Sequence, residues 1–187
     1  MILPALVVVL LVIGTPKVSA DAPTWAVDYT RSRLGFSGTQ GGNPFEGEFK
    51  RFDADIHFDP ATLATSRVVV DIDMGSVETG NPERDAAVRD RDWFAVGQFP
   101  RSRFETSRID GLGDERYQAA ATLTMRDVTK VTTLPFTLTI DGDEAHAKGE
   151  LKIVRTDWGI GQGQWAAGDT VGRDVVIRFD LLARRAS

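Results

Sequence analysis

Ser76-Val77-Glu78-Thr79-Gly80-Asn81-Pro82-Glu83-Arg84-Asp85, running on through Trp93-Phe94 to Phe99-Pro100, holds the one convincing helical signal in the chain. Asn81 is a good N-cap, Pro82 suits the first helical position, and Glu83 and Asp85 put negative charge in the first turn. Ala86 and Ala87 recur as Trp93 and Phe94 seven residues on, which predicts a narrow apolar face anchored by two large aromatics. Everything around this helix alternates like strands. A single short helix interrupting antiparallel strands predicts a barrel with a cap.

On the N-terminal side, Trp25–Phe36 and Phe45–Phe58 read as strands joined by the turn Gly41-Gly42-Asn43-Pro44. The apolar parity slips between Phe49 and Phe52, as a β-bulge would require. From Arg67 to Val77, Val68, Val70, Ile72 and Met74 share one face, with Val69, Asp71 and Asp73 on the other. On the C-terminal side, a strand around Phe99–Ile109 is followed by a turn at Asp110-Gly111-Leu112-Gly113-Asp114 and a strand at Arg116–Met125. Leu134, Phe136, Leu138 and Ile140 then alternate with threonines and Pro135, which predicts an edge or bulge at the proline. Asp141-Gly142-Asp143 signals a hairpin into Ala145–Arg155. The glycine-rich loop Gly159–Gly172 precedes a last strand carrying Val175, Ile177, Phe179 and Leu181. About eight antiparallel strands result, the number at which a closed barrel either holds one small ligand or is filled by side chains.

Composition narrows the setting. Ile2–Ile13 is almost wholly apolar and Val18-Ser19-Ala20 is a small-residue cleavage site, so residues 1–20 read as an export signal and 21–187 as one domain. The protein is acidic, with a formal charge of −5, which disfavours nucleic acid and anionic lipid surfaces as partners. It has no cysteine, so it carries neither disulfides nor the cysteine-linked anchor of a lipoprotein. The expectation is a soluble periplasmic protein that does not span the membrane once processed.

Catalytic signals are thin. His57 and His146 are the only histidines and show no ligand spacing to each other, so no metal site is expected. Gly161-Gln162-Gly163-Gln164-Trp165-Ala166 matches a dinucleotide fingerprint in letters only, without the helix that must follow, and reads as a loop. Asp141-Gly142-Asp143-Glu144 lacks the remaining positions of a calcium loop. No nucleophile sits in a recognisable setting, no cofactor is expected, and the chain does not read as an enzyme.

Wall composition is the feature that remains. Tyr117, Ala119, Ala121, Leu123 and Met125 share one parity, and the two alanines leave room that larger side chains would close. Small residues suit the taper of a filled barrel equally well, so composition alone leaves both readings open. With the space open, Val70, Ile72, Met74, Phe136, Leu138, Ile177 and Phe179 complete an aliphatic and aromatic lining that selects a hydrocarbon tail.

Several patches resemble one family. They are Trp25-Ala26-Val27-Asp28 with Ser32 and Phe36; Phe45-Glu46-Gly47-Glu48-Phe49; and Ser76-Val77 with Asn81, Arg84-Asp85, Trp93-Phe94 and Phe99-Pro100 through Phe104. Leu123-Thr124-Met125-Arg126-Asp127-Val128-Thr129-Lys130 and Arg155-Thr156-Asp157-Trp158-Gly159 complete the set. Together they resemble the YceI-like family, exported lipocalin-like barrels associated with polyisoprenoid lipids. Asp127 and Val131 stand where that family usually has Gly and Pro, and Asp tolerates the left-handed backbone that such a turn needs. The resemblance implies an all-β, eight-stranded antiparallel lipocalin-like barrel with one short capping helix and an elongated interior for an isoprenoid or quinone-like lipid. It also implies a quinone-using membrane cytochrome as a partner, and it carries over no catalytic residues. Arg84 and Asp85 would then tie the helix to the barrel, with head-group recognition as the alternative role. A ligand-free structural or stress-protective barrel, and an enzyme acting on isoprenoid lipids, are the competing functions.

Overall fold

Eight antiparallel strand paths close on themselves in the computed structural model, which describes residues 21–186; the expected export signal lies outside the described residues. Three of the paths are broken once. The first is β1 (Thr24–Val27) and β2 (Arg33–Gln40), the second β3 (Asn43–Phe49) and β4 (Phe52–His57), the third β5 (Arg67–Asp73) and β6 (Val77–Glu78). Helix α1 (Pro82–Arg89) follows, then five unbroken strands: β7 (Arg101–Gly113), β8 (Arg116–Met125), β9 (Val128–Asp141), β10 (Glu144–Val154) and β11 (Asp174–Arg185). Each path pairs with the next, and β11 closes the barrel by pairing with β2 through Val176–Asp180 and with β1 through Ala183–Arg185.

Buried serines repair two of the breaks. At the first, the Ser32 hydroxyl donates to Leu182 O and accepts from Leu182 N at 3.0 Å, standing in for the missing ladder bonds. At the second, the phase slip between Phe49 and Phe52 falls at Lys50-Arg51, opposite the 3₁₀ turn Met74–Ser76. There Ser76 Oγ accepts from Arg51 N and donates to Asp73 O at 2.7 Å, so the kink leaves no orphaned amide.

Sequence expectations fail at the helix and at the turn before β8. Helix α1 stops at Arg89, whose guanidinium binds Gly75 O and Val77 O, and Asp90 N bonds back to Ala87 O. Trp93 and Phe94 therefore lie in the turns beyond the helix, Ala86 and Ala87 are exposed, and Val88 is the residue the helix buries. The run Arg91-Asp92 supplies nothing apolar to carry a helical face onward. The turn expected at Asp110–Asp114 is strand: β7 continues to Gly113 with register shifts at Thr106/Arg108 and Gly111/Gly113. The chain reverses instead at Asp114-Glu115, both with positive φ, as a two-residue hairpin of this hand demands. Pro135 falls at a local edge, as expected: it pairs with Gln118 of β8, but the β9–β10 ladder ends at Phe136–Gly149, so its missing N–H costs no bond. Arg126 and Asp127, with φ of 48° and 61°, make the β8–β9 turn in the left-handed region.

Candidate functional site

The barrel's outer wall is laced with ion pairs. Asp53, Asp55, Asp71 and Asp73 face Arg101, Arg67, Arg103 and Arg51, all exposed enough for each pair to contribute little. His57 lies 3.0 Å from Asp55 and His146 2.6 Å from Asp180, on different strands. Among the described residues no cluster of three acidic or histidine side chains could hold a metal, and no helix is long and apolar enough to cross a membrane.

Inside, three linked apolar cavities of about 100, 120 and 80 Å³ follow one another along the barrel. The lowest is floored by Trp25 and Phe58, whose union is fixed by the Trp25 indole N–H donating to Phe58 O at 3.0 Å. It shares Val68, Phe104, Leu134, Phe179 and Leu181 with the middle cavity, and the middle shares Ile177 with the upper. The upper cavity shares Phe45, Val88, Trp93 and Val171 with a wider mouth of about 470 Å³ that has a mixed apolar and polar lining. Gln40, Asn43, Asn81, Glu83 and Arg84 line that mouth.

The expected lining residues fall along this channel as follows. Ala119, Phe136 and Leu138 line the lowest cavity; Val70, Ile72 and Leu123 the middle; Met74 and Met125 the upper. Phe179 is shared by the lower two and Ile177 by the upper two. Ala121 is the exception: it is buried between Ala119 and Leu123 without lining a cavity. Sequence reading missed Phe36 on β2 and Phe45 and Phe49 on β3, because these strands are the halves of two broken paths that lie beyond the breaks. It also missed Arg155.

Arg155 is the only charged side chain among the described residues that line the three cavities, and it is 3% exposed. No carboxylate pairs with it. Its N–H groups donate to five backbone carbonyls, those of Gly172, Ile160, Gly161, Trp165 and Val171. Its guanidinium lies over the Trp93 ring, 4.9 Å from the centroid. Burial, with Arg173 nearby, pulls its pKa below the ordinary arginine value. Gly161 sits against this guanidinium with φ +78°, where any side chain would collide with Arg155. One buried cation thus gathers the whole 160–172 loop over the barrel end.

Arg84 performs a smaller version of the same task. It donates to Gln40 Oε1 at 2.9 Å and lies 4.3 Å from the Phe45 ring centroid, joining α1 to the β2–β3 hairpin. Asp85 accepts from the amide and hydroxyl of Thr79, both at 2.7 Å, which fixes the approach to the helix. Trp93 packs 5.7 Å from Trp165, and Phe94 6.0 Å from Phe49, so both aromatics anchor the segment after the helix to the mouth.

Relatives agree with this architecture. A family model described as YceI-like domain matches residues 25–183. A UPF0312 protein of Pseudomonas putida is 26% identical over 167 residues, covering 86% of this chain and 83% of its own. The crystal structure of Burkholderia cenocepacia BcnA superposes with a TM-score of 0.81 at 31% identity, over 83% of this chain and 98% of BcnA. A Saccharophagus degradans structure, described as a polyisoprenoid binding domain implicated in plant cell wall breakdown, matches in fold with a TM-score of 0.69 at 18% identity, covering 88% and 99%. With the family model spanning nearly all of the barrel, the chain belongs to the YceI-like domain family.

Proposed function

We propose that this protein is an exported carrier that sequesters an isoprenoid or quinone-like lipid, tail in the barrel and head at the mouth, in the periplasm. The observation that carries the reading is the series of three apolar cavities along the barrel, the uppermost bordering a wider pocket whose lining includes Gln40, Asn43, Asn81, Glu83 and Arg84. A space of this kind stays dry when empty and gains roughly 0.8 kcal/mol for each CH₂ it takes from water. The Saccharophagus domain, described as binding polyisoprenoids, supports the lipid class. Binding by burial needs no catalytic group, and sequestration is the whole mechanism.

Titration with an isoprenoid quinone tests this directly, because Trp93 lines both the upper cavity and the mouth and a bound quinone ring would quench it. Saturable quenching at one quinone per chain is the expected result. Quenching that only rises linearly with concentration, as for free tryptophan, overturns the reading. Export is tested separately by the intact mass of secreted protein, which should begin at Asp21 after cleavage behind Ala20.

A further inference from the structure

Among the described residues four polar side chains are buried: Ser32, Ser76, Ser102 and Arg155. Three are fully engaged, the two serines in repairing broken ladders and Arg155 in gathering its loop. Ser102 is the exception. It is 3% exposed, and its hydroxyl is the one buried side-chain polar atom among the described residues with no hydrogen-bond partner. An orphaned hydroxyl costs stability that alanine at the same place would not.

Its position gives the orphan a meaning. Ser102 is directly opposite Ile72 in the β5–β7 ladder, and Ile72 and Phe104 both line the middle cavity, so Ser102 shares their inward face. On its other side, Arg103 pairs with Thr124, which brings Met125 of the upper cavity to the same level. Ser102 therefore stands where the middle and upper cavities meet, without lining either in the empty barrel. Met74 and Met125, both buried and both lining the upper cavity, are flexible side chains that can move aside as a tail passes.

Resting on the lipid-carrier reading, we infer that Ser102 is a specificity residue that donates its hydroxyl proton to a carbonyl oxygen of the ligand held at the junction of the upper and middle cavities, below the mouth. The ligand class is then an amphiphile with an ester, amide or quinone oxygen at that junction, not a bare hydrocarbon. An acceptor fits better than a donor, because a donor would leave the serine's own proton unsatisfied. Below Ser102, β7 runs on to Ile109 for roughly 20 Å at about 3.3 Å per residue, which the tail occupies.

Phytyl acetate and phytane, matched in tail and differing by the ester, provide the test against wild type, Ser102→Ala and Ser102→Thr, with binding read by displacement of a fluorescent lipid probe. Wild type should prefer the ester; Ser102→Ala should weaken the ester about tenfold and leave phytane unchanged or tighter; Ser102→Thr should keep the preference. Ser102→Ala should also melt at the same temperature as wild type or higher. If both probes bind and Ser102→Ala leaves their ratio unchanged, the inference fails while the carrier reading stands. If neither probe binds wild type, both fail. A lower melting temperature for Ser102→Ala would mean that the hydroxyl is already bonded in the empty fold, and that too overturns the inference.

Discussion

The two ends of this barrel are closed by different means. At the floor, hydrophobic side chains do the work: Trp25, Phe58, Ile109, Leu138, Ala145 and Ala183 form one cluster, bounded by tight hairpins at Asp114-Glu115 and Gly142-Asp143. A single indole N–H donating to Phe58 O orients the plug. At the mouth, the connections are long, and a charge organises them. Arg155 collects five carbonyls from a loop that otherwise makes few ladder bonds, while Arg84 and Arg126 bind side-chain or backbone oxygens of neighbouring segments. Packing closes the floor, whereas a cation in a cage of carbonyls holds the cover at the mouth. Under the proposed carrier role, the mouth is the end where a lipid would enter.

The largest effect should come from Arg155→Met, which keeps the bulk but leaves five carbonyls without donors. We expect a loss of about 3 kcal/mol or more, with a melting temperature lower by roughly 10 °C. Hydrogen exchange should rise first in residues 159–172 while the β1–β11 seam stays protected. Uniform loss of protection would show that the two ends are not separable.

Ala119→Phe should come next. Ala119 lines the lowest cavity, so the ring fills the tail's far end at an overpacking cost of about 1–3 kcal/mol. Long isoprenoids should lose affinity and short ones keep it, as measured across a chain-length series. Equal losses at every length would place the tail elsewhere.

Trp25→Phe should cost about 1–2 kcal/mol, for the unpaired Phe58 carbonyl and the lost contact with Arg185, 4.8 Å from the indole ring. With lipid entering at the mouth, as proposed, association rates should stay at the wild-type value in stopped-flow traces. A faster association would reveal a second door.

The smallest effect concerns pH. Hydrogen bonds from the Thr30 hydroxyl and the Arg31 side chain lower the pKa of Asp28, in the β1–β2 joint, to about 2. A depressed carboxylate contributes stability that is full above its unfolded pKa of ~4 and is lost as pH falls toward the folded value. Stability of wild type should therefore decline between ~4 and about 2 more than that of Asp28→Asn, as read by denaturant midpoints. Parallel curves would remove Asp28 from the acid response. At Asp180, burial pushes the carboxyl up, but His146 and Lys148 outweigh it and lower the pKa, so the same sign holds on β10–β11.

How much of this was legible in the chain follows from the same contrast. The floor and walls are written in period two: Leu134, Phe136 and Leu138, and Val68, Val70 and Ile72, announce their inward face because each unbroken stretch must keep one parity. The slip between Phe49 and Phe52 even located the kink that Ser76 repairs. The mouth is written in no period at all. Nothing in Arg155-Thr156-Asp157-Trp158-Gly159 says that the arginine turns inward, since an arginine at a strand end is ordinarily solvated. Only Gly161, with no room for a side chain beside the guanidinium, carried a trace of it. The helix face failed for a related reason: Trp93 and Phe94 keep a seven-residue interval from Ala86 and Ala87 while the helix ends at Arg89, so the aromatics reach the barrel through turns. Ala121 failed because an inward parity puts a residue inside the wall without saying whether the space beside it is open.

Native mass spectrometry of the protein purified from its own host, without detergent, is the most direct test of the lipid channel. The expected spectrum is a protein beginning at Asp21 with one isoprenoid-class mass attached, released by organic extraction and absent from Ala119→Phe when the tail is long. A spectrum of bare protein, from cells that contain such lipids, would contradict the channel's role as a lipid site.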